Sequence, residues 1–399
     1  YTKTLKNWKT GTGAYTKYIK PKPGLRQSDI DHMILKIRKI KSGIIVAGKL
    51  KNPADRRNVL KLAEKLHWPV FADISSGLRL GNNHKQVIHY FDQILLSDQF
   101  QKAFRPDGII HFGGRITSKR WYEYIRRAAP GQYIMALGHP LRSDPQHQVT
   151  TRIECDIASF CSSLEREIPE RRDTRLLLRL QKLNKKIDRQ INTFFQEQKD
   201  LSEPLAARLI TESIPSNDGL FVASSMPIRD VDMYGVPNRN KVVFGSNRGA
   251  SGIDGTVATA IGFSAGLKKR CTLVTGDLAL LHDLNSLAMA RDLAHPMVIV
   301  VFNNNGGGIF SFLPVGPFHK DFEKYFGTPH YLTFSAAADL FDLNYARPET
   351  AGEFVKTYNV ALKNQMTTII EITTDRAYNL KIHGAIQRMV QAEVNRDLK

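Results

Sequence analysis

The chain has 399 residues, 42% of them hydrophobic and 24% charged, a balance that excludes a disordered chain and leaves room for two or three globular domains. Its three cysteines (Cys155, Cys161, Cys271) form no C-x-x-C pair, which argues against a disulfide framework and for a reducing, cytoplasmic home. No apolar run approaches the ~20 residues of a bilayer span, and the strongest, Met297 to Phe302, has the length of a buried strand. The net charge of +19 is unevenly placed: Lys and Arg outnumber Asp and Glu by 38 to 19 in residues 1–200 and are balanced, 19 to 19, in residues 201–399. No zinc-finger, helix-turn-helix or RNA-binding signature accompanies that excess, so a basic surface is expected and a nucleic-acid partner is not.

Residues 1–24 are basic, contain Gly and Pro, and show no sustained period; they read as a linker entering a domain, and with Tyr1 in first place the chain is expected to be an excised or processed piece. A helical stretch leads into the apolar run SGIIVAGKL (42–50), and Asn52-Pro53 then provide an N-cap and a proline in the first helical turn. The following helix places Val59, Leu62, Ala63 and Leu66 on one face. VFADI (70–74), DGIIHFGG (107–114) and YIMALG (133–138) continue the strands, with helices around YFDQILL and from Ser118 between them. Strands alternating with helices predict a parallel sheet covered on both faces. This gives a middle α/β domain over 25–165, a helical connection rich in charge and leucine over 166–200, and a second α/β domain over 201–399. In that second unit the strands are GLFVASS (219–225), KVVFGS (241–246), CTLVTGD (271–277), MVIVVFNN (297–304) and TTIIEITTD (367–375). The fold class is therefore α/β, with two doubly wound parallel sheets.

The chemistry concentrates at two successive strand ends, Gly276-Asp277 and Asn303-Asn304-Asn305-Gly306. Ligands of open α/β sheets gather beyond the carboxyl ends of strands, where both segments fall. Asp277 offers a hard anionic oxygen, Asn304 an amide oxygen, and the loop near Gly306 a carbonyl; such a set with open positions suits Mg²⁺ and the oxygens of a diphosphate. A helix expected from about Leu281 would turn its free N–H groups toward that anion. Gly-Asp alone marks any turn, but Gly-Asp followed 27 positions after Asp277 by Asn304 is specific. The histidines, among them His111, His139, His282 and His330, have no zinc-ligand spacing, and there is no phosphate loop of the G-x-x-x-x-G-K-[ST] type.

This spacing resembles the signature of thiamine-diphosphate enzymes, with Leu278 in place of its third glycine. Four longer segments, SNRGASGIDG (246–255), GDLALLHDLNSLA (276–288), NNNGGGIFSFLP (303–314) and FGTPH (326–330), are together similar to the 2-succinyl-5-enolpyruvyl-6-hydroxy-3-cyclohexene-1-carboxylate synthases, and GGRITSKRW (113–121) has a counterpart there. The resemblance implies that Asp277, Asn304 and the Gly306 carbonyl hold Mg²⁺, with Mn²⁺ able to replace it, and through it the diphosphate of thiamine diphosphate beside Gly276. It implies Ile253 as the apolar wedge that bends the cofactor, the Ser251 carbonyl as acceptor for its amino group, and Ser225 as a polar neighbour. It implies Arg229, Arg248 and Lys119 as partners of substrate carboxylates and Ile309 and Phe310 as apolar pocket walls. Ala279 stands where many relatives have serine, which removes one side-chain contact to the diphosphate.

The reaction so implied is decarboxylation of 2-oxoglutarate and addition of the remaining unit to isochorismate, in menaquinone biosynthesis. The family's activating glutamate sits on a pyrimidine-binding domain ahead of the middle domain. That domain is expected to be supplied in cis or in trans, the isolated chain is expected to be inactive, and the assembly to be a homodimer or homotetramer. Two other readings stay open from the sequence: a different thiamine-diphosphate 2-oxoacid decarboxylase or carboligase, and a non-catalytic cofactor-binding subunit.

Overall fold

A computed structural model describes residues 2–11, 16, 19, 23–198, 200–237, 241–248, 252–316 and 319–398. The near-continuous Val, Ile and Phe runs become strands buried on both faces, as parallel strands under two helical layers must be. The first sheet contains β1 (Gly43–Ala47), β2 (Val70–Ala72), β3 (Gly108–Phe112), β4 (Gln132–Leu137) and β5 (Thr151–Glu154), in the order β2-β1-β3-β4-β5, with every pairing parallel. The second contains β6 (Gly219–Val222), β7 (Val243–Ser246), β8 (Cys271–Gly276), β9 (Val298–Asn303), β10 (Asn344–Ala346) and β11 (Thr368–Thr373), in the order β10-β11-β9-β8-β6-β7, again all parallel. The α/β class with two parallel sheets is thus as the alternation of segments predicted. Two edge strands escape that reading: β5 is half-exposed and β10 has three residues, so neither carries an apolar run.

The first sheet follows its local signals closely. Pro53–Leu66 is helical, Asp55 accepts from the Asn52 N–H at 3.3 Å, and Val59, Leu62, Ala63 and Leu66 are all fully buried. All three cysteines are buried and free, and no helix among the described residues is long and apolar enough to cross a membrane.

The two sheets share packing. The long helix Arg175–Gln196 buries Leu177, Leu180, Leu183, Ile187, Ile191 and Phe195, a stripe at three- and four-residue spacing, and packs on the C-terminal helix Arg376–Leu398. That last helix also lies against Phe91–Ile94 and Asp98–Ala103 of the first unit. One continuous hydrophobic cluster runs from Ile44 and Val46 through Leu183 and Tyr234 to Val394. At its centre the buried Arg208 donates to Tyr90 Oη at 3.1 Å, Asp188 Oδ1 at 2.9 Å and the Tyr234 carbonyl at 3.0 Å. A buried guanidinium satisfied by three elements ties both units together.

In the second sheet the chain pairs β6 with β7, then crosses so that β8 lies on the other edge of β6. The crevice beyond the ends of β6 and β8 is therefore a topological switch point, where open α/β sheets place their ligands.

Candidate functional site

A cavity of about 430 Å³ opens at that crevice. Ser224–Arg229 follow β6, Gly276–Ala279 follow β8, and Asn304 to Phe310 follow β9; Arg248 and Ile253 close the remaining side. Ten of the twelve residues singled out in the sequence line it: Ser225, Arg229, Arg248, Ile253, Gly276, Asp277, Asn304, Gly306, Ile309 and Phe310. Lys119 does not. It begins the helix Lys119–Ala128, its side chain is 82% exposed, and it pairs with Glu123 at 3.7 Å on the same helix. Ser251 lies outside the described residues.

The β8–β9 register pairs Gly276 with Phe302, so the two strands deliver Asp277 and Asn303–Asn304 side by side. The helix expected from about Leu281 instead begins at Asp277 itself, runs to His282, and gives way to a 3₁₀ segment, Leu284–Ala290. The apolar LALL run suggests the helix body, whereas the turn already forms at the acid that ends the strand. Asp277 is 2% exposed; its Oδ1 accepts the Leu278 N–H at 2.6 Å and its Oδ2 the Gly306 N–H at 2.9 Å. Burial pushes its carboxyl above the usual range, while those two N–H groups and His330 pull the other way. In the sequence His330 is one of several scattered histidines. Its Nε2 lies 3.2 Å from Asp277 Oδ2, at ion-pair distance though not aligned for a hydrogen bond, and its Nδ1 accepts the Leu332 N–H at 3.0 Å.

Gly306 has φ +133°, a conformation open only to glycine, and a Cβ there would lie 1.9 Å from the Gly327 carbonyl oxygen. The 326–330 segment is thus laid directly on the 303–308 loop, and the Gly307 N–H donates to Gly327 O at 2.8 Å. Asn303 and Asn305 brace the same loop: Asn303 Nδ2 donates to Leu332 O and Glu371 Oε1, and Asn305 Oδ1 accepts from the N–H groups of His330 and Tyr331.

Asn304 is different. Its Nδ2 donates to Glu203 Oε1 at 2.8 Å, but its Oδ1 is buried without a hydrogen-bond partner. A buried orphan oxygen costs about 1–3 kcal/mol unless a ligand satisfies it, and this one belongs to a cavity wall shared with a carboxylate. One acid, one amide and the carbonyls of a glycine loop fit a hard cation such as Mg²⁺ that keeps open positions. Among the described residues no group of three His, Cys, Asp or Glu could hold a metal, so a transition-metal cage has no support here.

Glu203 gives no signal in the sequence beyond opening the helix Glu203–Ser213 after Ser202. Its partners Asn304, Thr374 and Asn379 lie 101 to 176 positions away. Burial, with Asp230 and Asp277 nearby, pushes its carboxyl up to about 8, against the hydrogen bonds from Asn304 and Thr374.

On the β6 side, Ser225 adopts φ +75°, ψ −135°, a strained conformation for a residue with a side chain, at the N-cap of the helix Met226–Tyr234. The Arg229 guanidinium donates to the Ser225 carbonyl across that turn. Burial, and then Arg248, depress its pKa, although Asp230 and Asp232 act in the opposite sense. Among the described residues neither Arg229 nor Arg248 has an ion-pair partner. Two cations lining one cavity, neither ion-paired among the described residues, are suited to receive an anion.

Comparison with known proteins agrees with this geometry. Residues 1–222 match the family model described as the middle domain of thiamine pyrophosphate enzymes, and residues 231–372 match the thiamine pyrophosphate enzyme C-terminal TPP-binding domain. Among curated relatives, the 2-succinyl-5-enolpyruvyl-6-hydroxy-3-cyclohexene-1-carboxylate synthase of Rubrobacter xylanophilus is 41% identical over 95% of this chain and 66% of its own length. The protein of the same name from Salinibacter ruber is 37% identical over 97% of the chain and 65% of its length. That of Chlorobium phaeobacteroides is 36% identical over 99% and 67%. The chain spans about two thirds of the length of these relatives.

Proposed function

This chain belongs to the 2-succinyl-5-enolpyruvyl-6-hydroxy-3-cyclohexene-1-carboxylate synthase family of thiamine-diphosphate enzymes, and from that premise we propose that it holds thiamine diphosphate through Mg²⁺ and serves the joining of 2-oxoglutarate to isochorismate. The observation that carries the cofactor half is the orphaned Asn304 Oδ1 beside the Asp277 carboxylate at the ends of adjacent strands. In this reading Asp277, Asn304 and the Gly306 carbonyl hold the cation, and Gly276 permits close approach of the diphosphate. Ile253 braces the cofactor from the opposite wall, and the Ser225 hydroxyl and Ser251 carbonyl supply polar contacts.

When bound, thiamine diphosphate supplies the electron sink for loss of CO₂ from a 2-oxo acid. The chain's own residues bind and orient. The planar forks of Arg229 and Arg248 grip substrate carboxylates, and Ile309 and Phe310 exclude water from the reacting end. Both acids lining the cavity, Glu203 and Asp277, are engaged in the metal-side network. The family resemblance assigns the activating glutamate to a pyrimidine-binding domain, in cis or in trans, within a homo-oligomer, and the complete reaction to that assembly. Another carboligase acting on smaller monocarboxylates fits less well, because it leaves one of two unpaired arginines without a task.

Calorimetric titration with thiamine diphosphate in Mg²⁺ tests the site. Asp277→Ala should abolish Mg²⁺-dependent binding; unchanged affinity would remove the assignment.

A further inference from the structure

We propose that Glu203 is a positioning residue for the metal site, fixing the Asn304 side chain so that its Oδ1 and not its Nδ2 is presented to the cation. The inference rests on the metal-site reading above and adds a residue to it. An asparagine amide has two nearly isosteric ends, and only the oxygen can ligate a cation. Something must therefore set its sense before the metal arrives.

Glu203 is built to do so. Its Oε1 accepts from three side chains: Asn304 Nδ2 at 2.8 Å, Asn379 Nδ2 at 2.6 Å and Thr374 Oγ1 at 3.0 Å. An oxygen that receives three donors is an acceptor, so an amide turned end for end would set oxygen against oxygen at 2.8 Å. The carboxylate itself has no freedom to follow such a turn. Asn379 grips Glu203 at two points, its Oδ1 accepting the Glu203 N–H at 3.2 Å while its Nδ2 donates to Oε1. Thr374, just past the end of β11, closes the third side and also accepts from Asn379 Nδ2 at 3.2 Å. Glu203 is 2% exposed, so water does not compete for these bonds. The amide fills the space that Gly308 leaves, since a Cβ there would lie 2.6 Å from Asn304 Nδ2. The result is an amide whose nitrogen is engaged by Glu203 and whose oxygen, in the wall of the cavity, has no hydrogen-bond partner.

The test reads metal binding and not turnover. Mn²⁺ is titrated into the 399-residue chain with inorganic diphosphate, and free Mn²⁺ is followed by electron paramagnetic resonance. Glu203→Gln offers Asn304 an amide of either sense and should weaken Mn²⁺ binding by about five-fold or more, the size of one lost hydrogen bond. Glu203→Asp retains the carboxyl group but withdraws it by one methylene, and should weaken binding in the same direction should the glutamine variant not fold. The double variant Glu203→Gln with Asn304→Asp reverses donor and acceptor: the introduced amide donates to one oxygen of the introduced carboxylate and leaves the other oxygen for the metal. It should recover Mn²⁺ affinity relative to Glu203→Gln, which a merely space-filling role would not predict. Wild-type affinity in folded Glu203→Gln or Glu203→Asp, or no recovery in the double variant, overturns the proposal. Asp277→Ala is the control for the parent reading: if it binds Mn²⁺ normally, the metal site is misplaced, whereas loss there with normal binding in the Glu203 variants sinks the positioning role alone.

Discussion

Gly306→Ala is the most severe single-methyl change the site offers. The added Cβ would lie 1.9 Å from the Gly327 carbonyl oxygen, so the 303–308 and 326–330 segments must part by roughly an ångström or more to restore an ordinary contact. That separation breaks the Gly307 N–H to Gly327 O bond, about 1 kcal/mol, and, as the 303–308 loop is displaced from β8, the Gly306 N–H to Asp277 Oδ2 bond, about 1.5–3 kcal/mol for a charged acceptor. An alanine at φ +133° adds roughly 1–3 kcal/mol of backbone strain. The total of about 4–7 kcal/mol falls on a loop that can open while the sheet beneath it stays paired, within a domain stability of order 5–15 kcal/mol. The variant should therefore remain folded by circular dichroism and lose Mg²⁺-dependent thiamine-diphosphate affinity by at least about a hundred-fold in calorimetry, the effect of some ~3 kcal/mol. Gly262→Ala is the matched control: a Cβ there meets nothing within 4 Å inside the helix Thr256–Leu267, and alanine should stabilise it by up to about 1 kcal/mol. Affinity within about threefold of wild type for Gly306→Ala, less than ~1 kcal/mol, would show that the cradle is not formed by this backbone.

Arg248→Lys and Arg229→Lys keep the charge but lose the fork, and in the complete assembly each should cost about ten- to a hundred-fold with 2-oxoglutarate and isochorismate while leaving cofactor affinity intact; unchanged steady-state kinetics in both would make them surface charges. Ser225→Gly removes a side chain from φ +75° and should raise the urea midpoint, by about 1 kcal/mol of stability, while loosening the turn that Arg229 grips; a lowered midpoint would mean that the Ser225 conformation carries no strain. Burial holds the ring of His111 down to about 4, between Tyr133 Oη at 2.8 Å and the Gly114 carbonyl, so the unfolded chain takes up its proton first as pH falls from 6.5. Its contribution is full above pH 6.5 and is lost toward pH 4, at about 1.4 kcal/mol per pH unit. Urea unfolding of wild type against His111→Gln at about pH 7 and pH 5 should show wild type losing more; equal losses would count against a buried neutral ring. His89, which burial and then Arg79 hold at about 3, adds a similar slope to both proteins.

What the sequence makes legible follows from contact range. Central strands announce themselves because both faces are buried, which forces runs such as MVIVVFNN; β5 and β10, exposed edges of three or four residues, have no such constraint and leave no run. Asp277 and Asn304 can be paired from spacing because they end neighbouring strands, one helical crossover apart. Glu203 cannot, since nothing local marks a helix-opening acid whose three partners come from the ends of β9 and β11 and from the C-terminal helix. His330 is hidden for the same reason: its meaning is its distance from Asp277, 53 positions earlier. Lys119, read from a motif in the middle unit, opens its helix with its side chain 82% exposed and Glu123 beside it, away from the cavity.

The helix Arg376–Leu398 belongs by sequence to the second sheet, yet Asn395 accepts from Ser97 Oγ and Asp397 pairs with Arg179 and Lys186. Together with the Arg208 junction, this leaves no clean recombination point between the two sheets. A chimera exchanged near residue 200 would inherit a C-terminal helix matched to the wrong first unit, with Asp397, 6% exposed, buried against strangers. The two halves are therefore heritable only as a pair, and a natural or engineered shuffle that keeps the cavity must carry residues 376–398 along with 1–200.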